Sequence, residues 1–130
     1  GVVDGLGFGD NAKASIITLG LMEMNTYGRH FGAKRGTVYG LAGVGDLIAT
    51  CTSRHSRNRF VGEQLAKGKA MEGIKKEMHG MVAEGVPTTK AVYEYAVQHS
   101  IQMPLTHQAY EVLFKGKNIK SAIKDLLDLV

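Results

Sequence analysis

The sequence is poor in the residues that staple or interrupt a chain. It holds one cysteine, Cys51, so no internal disulfide can form and the small cross-linked secreted scaffolds are excluded. Only two prolines occur, and no low-complexity segment or sustained charge run suggests a disordered tail. The five histidines (His30, His55, His79, His99 and His107) contain no His-x3-His pair. With no second cysteine beside them, a protein metal site is not expected. Apolar runs stop well short of the ~20 residues of a membrane span, and no signal peptide is expected. No segment alternates with period two, so no strand is expected. Charge of one sign is scarce as well: sixteen basic and twelve acidic residues leave a net +4. That excess favours anionic ligands in general. A free-standing nucleic-acid-binding module is disfavoured, because the basic residues are dispersed and have no aromatic platform beside them.

What is present suits one helical domain. The chain has 130 residues, 44% of them hydrophobic, enough to close a core of its own. Residues 1–9 are punctuated by glycine and read as a loop, with Asp10 and Asn11 as N-caps for the next helix. From Ala12 to about Phe31 the pattern is helical and apolar on nearly every side, which predicts a central helix buried all round. Short helices are expected near Thr37–Leu41, from Ser56–Arg59 to Gly68, and over 71–78. A longer one runs from Thr88 to His99. Pro104 suits the first turn of another helix, which Gly116 ends. The last is the cleanest: Ile119, Ala122, Ile123, Leu126 and Leu127 share one helical face. Lys115, Lys117, Lys120 and Lys124 mark its wet side. The expectation is all-α, a single domain over 1–130, about seven helices, no internal repeat. The chain opens on Gly1 without an initiator methionine and runs straight into apolar sequence, as a piece of a longer protein would.

Three segments bear on function. "GLGFGD" has the look of a dinucleotide fingerprint but fails it. The third glycine would fall at Asp10, and "VVD" is too short to be the preceding strand. Asp46, between "GLAGVG" and "LIAT", reads as an N-cap or as a carboxylate for a cation or a substrate hydroxyl. "SRHSRNR" is the most informative stretch. It reads as a solvated basic turn or as an anion site, since Ser56, Arg57 and Asn58 at a helix start combine a hydroxyl, a guanidinium fork, an amide and free backbone N–H groups. Glu84, in the apolar loop "GMVAEGVP", is a cap or a ligand acceptor. Cys51 reads as a small buried residue, with no base placed to activate it.

"DGLGFGDNAKASIITLGLMEM", "GLAGVGDLIATCTSRHSRNR", "GMVAEGVPTTKAVYE" and "MPLTHQAYEVLFKGK" occur in order over essentially the whole chain. Together they resemble the C-terminal domain of bacterial NAD(P)-dependent glycerol-3-phosphate dehydrogenases. The resemblance implies a helical domain of the 6-phosphogluconate dehydrogenase C-terminal-like kind. It implies a cytoplasmic enzyme that interconverts dihydroxyacetone phosphate and sn-glycerol 3-phosphate with NAD or NADP, feeding phospholipid synthesis, and it allows a homodimer. The family's catalytic lysine lies in a "KN" pair upstream of Gly1, and its Rossmann domain lies there too. The 130 residues alone are therefore expected to be inactive. Position by position, Asp46 matches the substrate-site aspartate that supports the lysine, and Ser56, Arg57 and Asn58 match the substrate-binding triplet. Arg57, Val82 and Glu84 match cofactor contacts. "MHGMV" holds one residue more than the family pattern, His79. The alternative is the C-terminal domain of a related hydroxyacid dehydrogenase, which would bind a carboxylate and have no need of the triplet.

Overall fold

The computed structural model describes residues 1–129. It is all-α, with no strand among those residues. In chain order the helices are α1 (Val2–Gly5), α2 (Asp10–His30), α3 (Arg35–Val38), α4 (Asp46–Thr52), α5 (Arg57–Ala66), α6 (Met71–Glu77), α7 (Gly85–Gln98), α8 (Pro104–Lys115) and α9 (Ile119–Leu127). A π-helical turn, Leu41–Gly45, runs directly into α4. The count exceeds the expected seven because α1, a single turn, and α4, of seven residues, have no counterpart among the expected helices, while α3 falls near the short helix expected at Thr37–Leu41.

Of the opening glycines, Gly1 and Gly5 are packing contacts, whereas Gly7 and Gly9 face open space. α1 lies against α5 so closely that a Cβ on Gly5 would meet Ala66 Cβ at 2.6 Å, and one on Gly62 would meet Val2 N at 2.8 Å. Small residues one turn apart on each side let the two backbones touch, which corrects the loop reading for residues 2–5, while residues 6–9 are non-helical as expected. Gly7, at φ 73°, then turns the chain toward α2. The N-cap of α2 is Gly9, in an extended conformation, and no side chain caps the helix. Asp10 is the first helical residue instead, where its charge still suits the helix dipole.

α2 packs against α1, α3, α4, α8, α9 and the π turn. It is central, as the sequence predicts, but it is not enclosed. Only Leu19 and Glu23 are fully buried along it, while Met22 is 58% and Met24 38% exposed. The all-round apolar pattern therefore reports a surface that favours burial, and the described residues leave one side of it open. Glu23 is the buried exception to the pattern. Its carboxylate accepts from Leu105 N–H, from Thr106 N–H at 3.0 Å and from Thr106 Oγ1–H at 2.7 Å. A residue in the middle of α2 thus caps α8 from across the fold, stabilising that N-terminus with charge-assisted bonds.

Elsewhere local chemistry sets the ends as expected. Gly68 and Gly116 stop α5 and α8 at φ 86° and 70°, and Pro104 opens α8. α7 begins three residues before the expected Thr88, since Pro87 in a first turn loses no hydrogen bond. Asn118 caps α9 by accepting from Lys120 and Ser121 N–H. Lys117 is not simply solvated: it pairs with Asp125 at 2.6 Å across the turn between α8 and α9. Val61, Ile74, Met78 and Ala83 form a buried cluster, flanked by Phe60, Leu65, Met71 and Val86. That core joins α5 and α6 to the segment leading into α7, and so supports α5 and the start of α7, which carry part of the site.

Candidate functional site

The turn from α4 to α5 is built by its own side chains. Ser53 Oγ accepts from His55 N–H, and Ser56 Oγ accepts from Arg59 N–H at 3.2 Å, which makes Ser56 the N-cap of α5. The Ser56 carbonyl takes Phe60 N–H. The N–H groups of Arg57 and Asn58 lie ahead of any possible intrahelical acceptor, so they stay open. An N-cap serine accepts through its oxygen and still has its own O–H to donate.

The arginines of "SRHSRNR" divide their labour. Arg59 is consumed by structure: it pairs with Asp4 at 3.1 Å and Glu63 at 2.8 Å, and it donates to the Cys51 carbonyl. This ties α1, α4 and α5 into one unit. Arg57 is exposed, and its guanidinium makes no ion pair or hydrogen bond among the described residues. Its fork is free for a ligand.

Asn58 faces the beginning of α7, where its Oδ1 accepts from Gly85 N–H at 2.9 Å. Between these elements lies a cavity of about 400 Å³. It is lined by Thr50, Ser53 and His55, by Ser56, Arg57 and Asn58, and by Glu84. Four of the expected site residues are therefore brought together: Ser56, Arg57, Asn58 and Glu84. Val82 is exposed two residues before Glu84 but is not part of the wall. Asp46 stands outside the cavity as well. It is exposed at the start of α4, one turn, or about 6 Å of helix rise, before Thr50. The N-cap of α4 is Gly45, and no side chain caps that helix. The capping reading of Asp46 is thus corrected, and its carboxylate is unpaired among the described residues. Glu84 occupies the N-cap position of α7 without a side-chain capping bond. Thr50, Ser53 and His55 have no role in the sequence reading, although all three stand inside the motif that gave the triplet.

A second cavity, about 370 Å³, borders Ser56 and Asn58 from below, with walls from Val61, Leu105, Val112 and Ile123. Its lining is mostly apolar, and the guanidinium at its edge, Arg59, is already engaged by Asp4 and Glu63. Cys51 borders it, and burial pushes the thiol's pKa up. Cys51 is half-buried rather than enclosed, which corrects the expectation of a buried residue. No group of metal-ligating side chains occurs among the described residues. No described helix is long and apolar enough to cross a membrane.

The geometry defines a class: a helical domain with a polar cavity lined by a helix N-terminus, an arginine unpaired among the described residues and an amide, donors suited to an anionic ligand, with the Glu84 carboxylate beside them. Comparison with known proteins narrows this. Residues 1–124 match the family model for the NAD-dependent glycerol-3-phosphate dehydrogenase C-terminus, and the chain belongs to that family. It is 51% identical over 127 residues to the glycerol-3-phosphate dehydrogenase [NAD(P)+] of Chlorobium limicola, covering 98% of this chain and 38% of that protein. Identity to the enzyme of the same name from Geobacillus thermodenitrificans is 54%, over 98% of this chain and 37% of the relative. The crystal structure of glycerol-3-phosphate dehydrogenase from Coxiella burnetii superposes with a TM-score of 0.93 at 40% identity, covering 97% of this chain and 38% of that one. The chain thus spans well under half the length of the relatives it matches.

Proposed function

We propose that this chain is the substrate-holding domain of an NAD(P)-dependent glycerol-3-phosphate dehydrogenase, which interconverts dihydroxyacetone phosphate and sn-glycerol 3-phosphate. One observation carries the reading. In a single motif, Arg59 is tied up by two carboxylates while Arg57 stands unpaired beside two open N–H groups. That is the equipment for a phosphate dianion: a planar fork, a helix N-terminus, the Ser56 hydroxyl and the Asn58 amide. Holding the phosphate fixes the distance and angle of the carbonyl to be reduced, a contribution of orientation rather than of bond-making. A carboxylate-binding hydroxyacid dehydrogenase would have less use for so many donors.

Asp46, with no partner of its own among the described residues, suits the part of a carboxylate that holds the substrate hydroxyl and keeps a nearby lysine in its ammonium form. That lysine and the Rossmann domain would belong to the part of the relatives that lies outside the matched 38%. A bound nicotinamide cofactor supplies the hydride. The residues here that fit it are Arg57, Glu84 in the cavity lining, and the exposed apolar Val82. Further support comes from the surface. A folded chain of this mass exposes about 6,700 Å², whereas this one exposes 8112 Å². Leu41, Ile48, Met81 and Val82, in segments flanking the cavity residues, are among the exposed apolar side chains, and a second domain would cover them. The same reading implies a cytoplasmic enzyme serving phospholipid synthesis, and a homodimer is compatible with it.

The test is Arg57→Lys in the two-domain enzyme. Lysine keeps the charge and loses the fork, so kcat/KM for dihydroxyacetone phosphate should fall roughly ten- to a hundredfold, the cost of about 1.5–3 kcal/mol of charge-assisted bonding. Unphosphorylated dihydroxyacetone should lose much less. Equal losses on both substrates would overturn the phosphate assignment.

A further inference from the structure

The contact between Asn58 and Gly85 joins residues 27 apart in sequence, and it is tighter than a hydrogen bond alone requires. A Cβ built on Gly85 would fall 2.8 Å from Asn58 Oδ1, 3.0 Å from Cγ and 3.3 Å from Nδ2. Gly85 is not in the left-handed region, so glycine is not needed there for backbone freedom. It is needed for room. The amide of Asn58 occupies the space that a side chain on Gly85 would fill.

This contact also fixes which way the amide points. A backbone N–H can only donate, so the Asn58 oxygen must face Gly85 and the NH2 group must turn away from that bond. The other early N–H groups of α7 are already used: Val86 donates to the Ala83 carbonyl, Thr88 to the Glu84 carbonyl, and Pro87 has none to offer. α7 therefore contributes no free donor of its own to the cavity. Its contribution passes through Asn58, whose two N–H bonds have no protein acceptor among the described residues.

We propose that Gly85 is a positioning residue for the substrate phosphate: its N–H orients the Asn58 amide, and its bare Cα leaves the space in which that amide lies, so that Asn58 presents donors only to the bound anion. This rests on the phosphate-binding reading above. The clash in Gly85→Ala falls on the movable end of a side chain rather than on backbone. The variant should therefore fold and displace the amide. Asn58→Asp is the complementary change, since a carboxylate still accepts from Gly85 N–H but offers the anion nothing.

The experiment is a titration of the isotope-labelled chain with inorganic phosphate at pH 7.5, followed by amide and side-chain NH2 resonances, with melting curves for every variant. In the unmodified chain, phosphate should shift the Arg57 and Asn58 backbone amides and the Asn58 NH2. Gly85→Ala should weaken binding roughly tenfold, the loss of one charge-assisted hydrogen bond. Asn58→Asp should abolish binding while the melting curve holds. In an Asn58→Ala background, Gly85→Ala should have no further effect, because it acts through the side chain already removed. Phosphate binding by the unmodified chain with Gly85→Ala or Asn58→Asp binding equally well would overturn the positioning role alone. So would losses that simply add in the double variant. Absence of any shift in the unmodified chain would overturn the phosphate reading itself, and the positioning role with it. If Gly85→Ala does not fold, Asn58→Asp decides: retained binding overturns the proposal and lost binding supports it.

Discussion

Glu23, in the middle of α2, closes the N-terminus of α8 by accepting both the backbone N–H and the hydroxyl of Thr106, at 3.0 and 2.7 Å. Glu23 is 5% exposed, and donors from another helix satisfy its carboxylate. Glu23→Gln would turn an amide NH2 toward groups that already donate. We expect a loss of about 1.5–3 kcal/mol, measured by chemical denaturation. An unchanged midpoint and slope would mean that water replaces the carboxylate without penalty.

Asp4 stabilises the fold in a pH-dependent way. The hydrogen bond from Lys13, with the charges of Lys13 and Arg59, holds its carboxyl below the usual value, against burial that pushes it up. A folded-state pKa below the unfolded one contributes stability that is present above the unfolded value, about 4 for aspartate, and lost as the pH falls below it. Acid unfolding monitored by circular dichroism should therefore steepen below about pH 4. Asp4→Asn should be less stable at pH 7 and less sensitive to acid. A variant with the same acid profile as the parent would show that the α1–α5 tie makes no contribution to folding.

Gly43 is the tightest backbone contact in the π-helical turn: a Cβ there would fall 1.9 Å from the Val38 carbonyl oxygen. No side-chain adjustment relieves that clash. Gly43→Ala should cost about 1–3 kcal/mol by overpacking, and it should displace Asp46 three residues on. Thermal melting of Gly43→Ala beside Gly36→Ala, whose Cβ would meet open space, separates packing from helix propensity.

The 130 residues by themselves should show no oxidation of NADH or NADPH with dihydroxyacetone phosphate. On our reading the hydride carrier and the proton donor belong to the rest of the enzyme. Measurable turnover by the purified chain would place that chemistry here.

The legibility of the chain follows the range of the interactions that shape it. Local signals read well: the one-sided face of α9, Pro104 and Gly116 bounding α8, and Ser56 at the head of α5 all act within a turn or two. What failed depends on distant partners. Gly1 and Gly5 look like loop until Gly62 and Ala66 are set against them. Asp10, Asn11 and Asp46 look like caps because cap preference concerns side-chain chemistry, whereas here Gly9 and Gly45 take those positions. Glu23 is one acid in an apolar helix, and only α8 makes sense of it. In the site, the triplet was visible because its residues are adjacent. The roles of Arg57 and Arg59 are only half legible: Glu63, one turn on, marks Arg59 as a pairing residue, but its second partner, Asp4, lies more than fifty residues earlier. Gly85 was silent for the same reason, its partner Asn58 being 27 residues away.

The central claim, that this domain is built to hold a phosphorylated three-carbon substrate, is tested most directly by a competition between ligand classes. The labelled chain would be titrated with sn-glycerol 3-phosphate, with glycerol, and with the carboxylates lactate and 3-hydroxybutyrate. We expect sn-glycerol 3-phosphate alone to shift the Arg57, Asn58 and Glu84 resonances saturably, with the effect lost in Arg57→Ala. Tighter binding of a hydroxyacid at the same residues, or shifts that survive Arg57→Ala, would contradict the account.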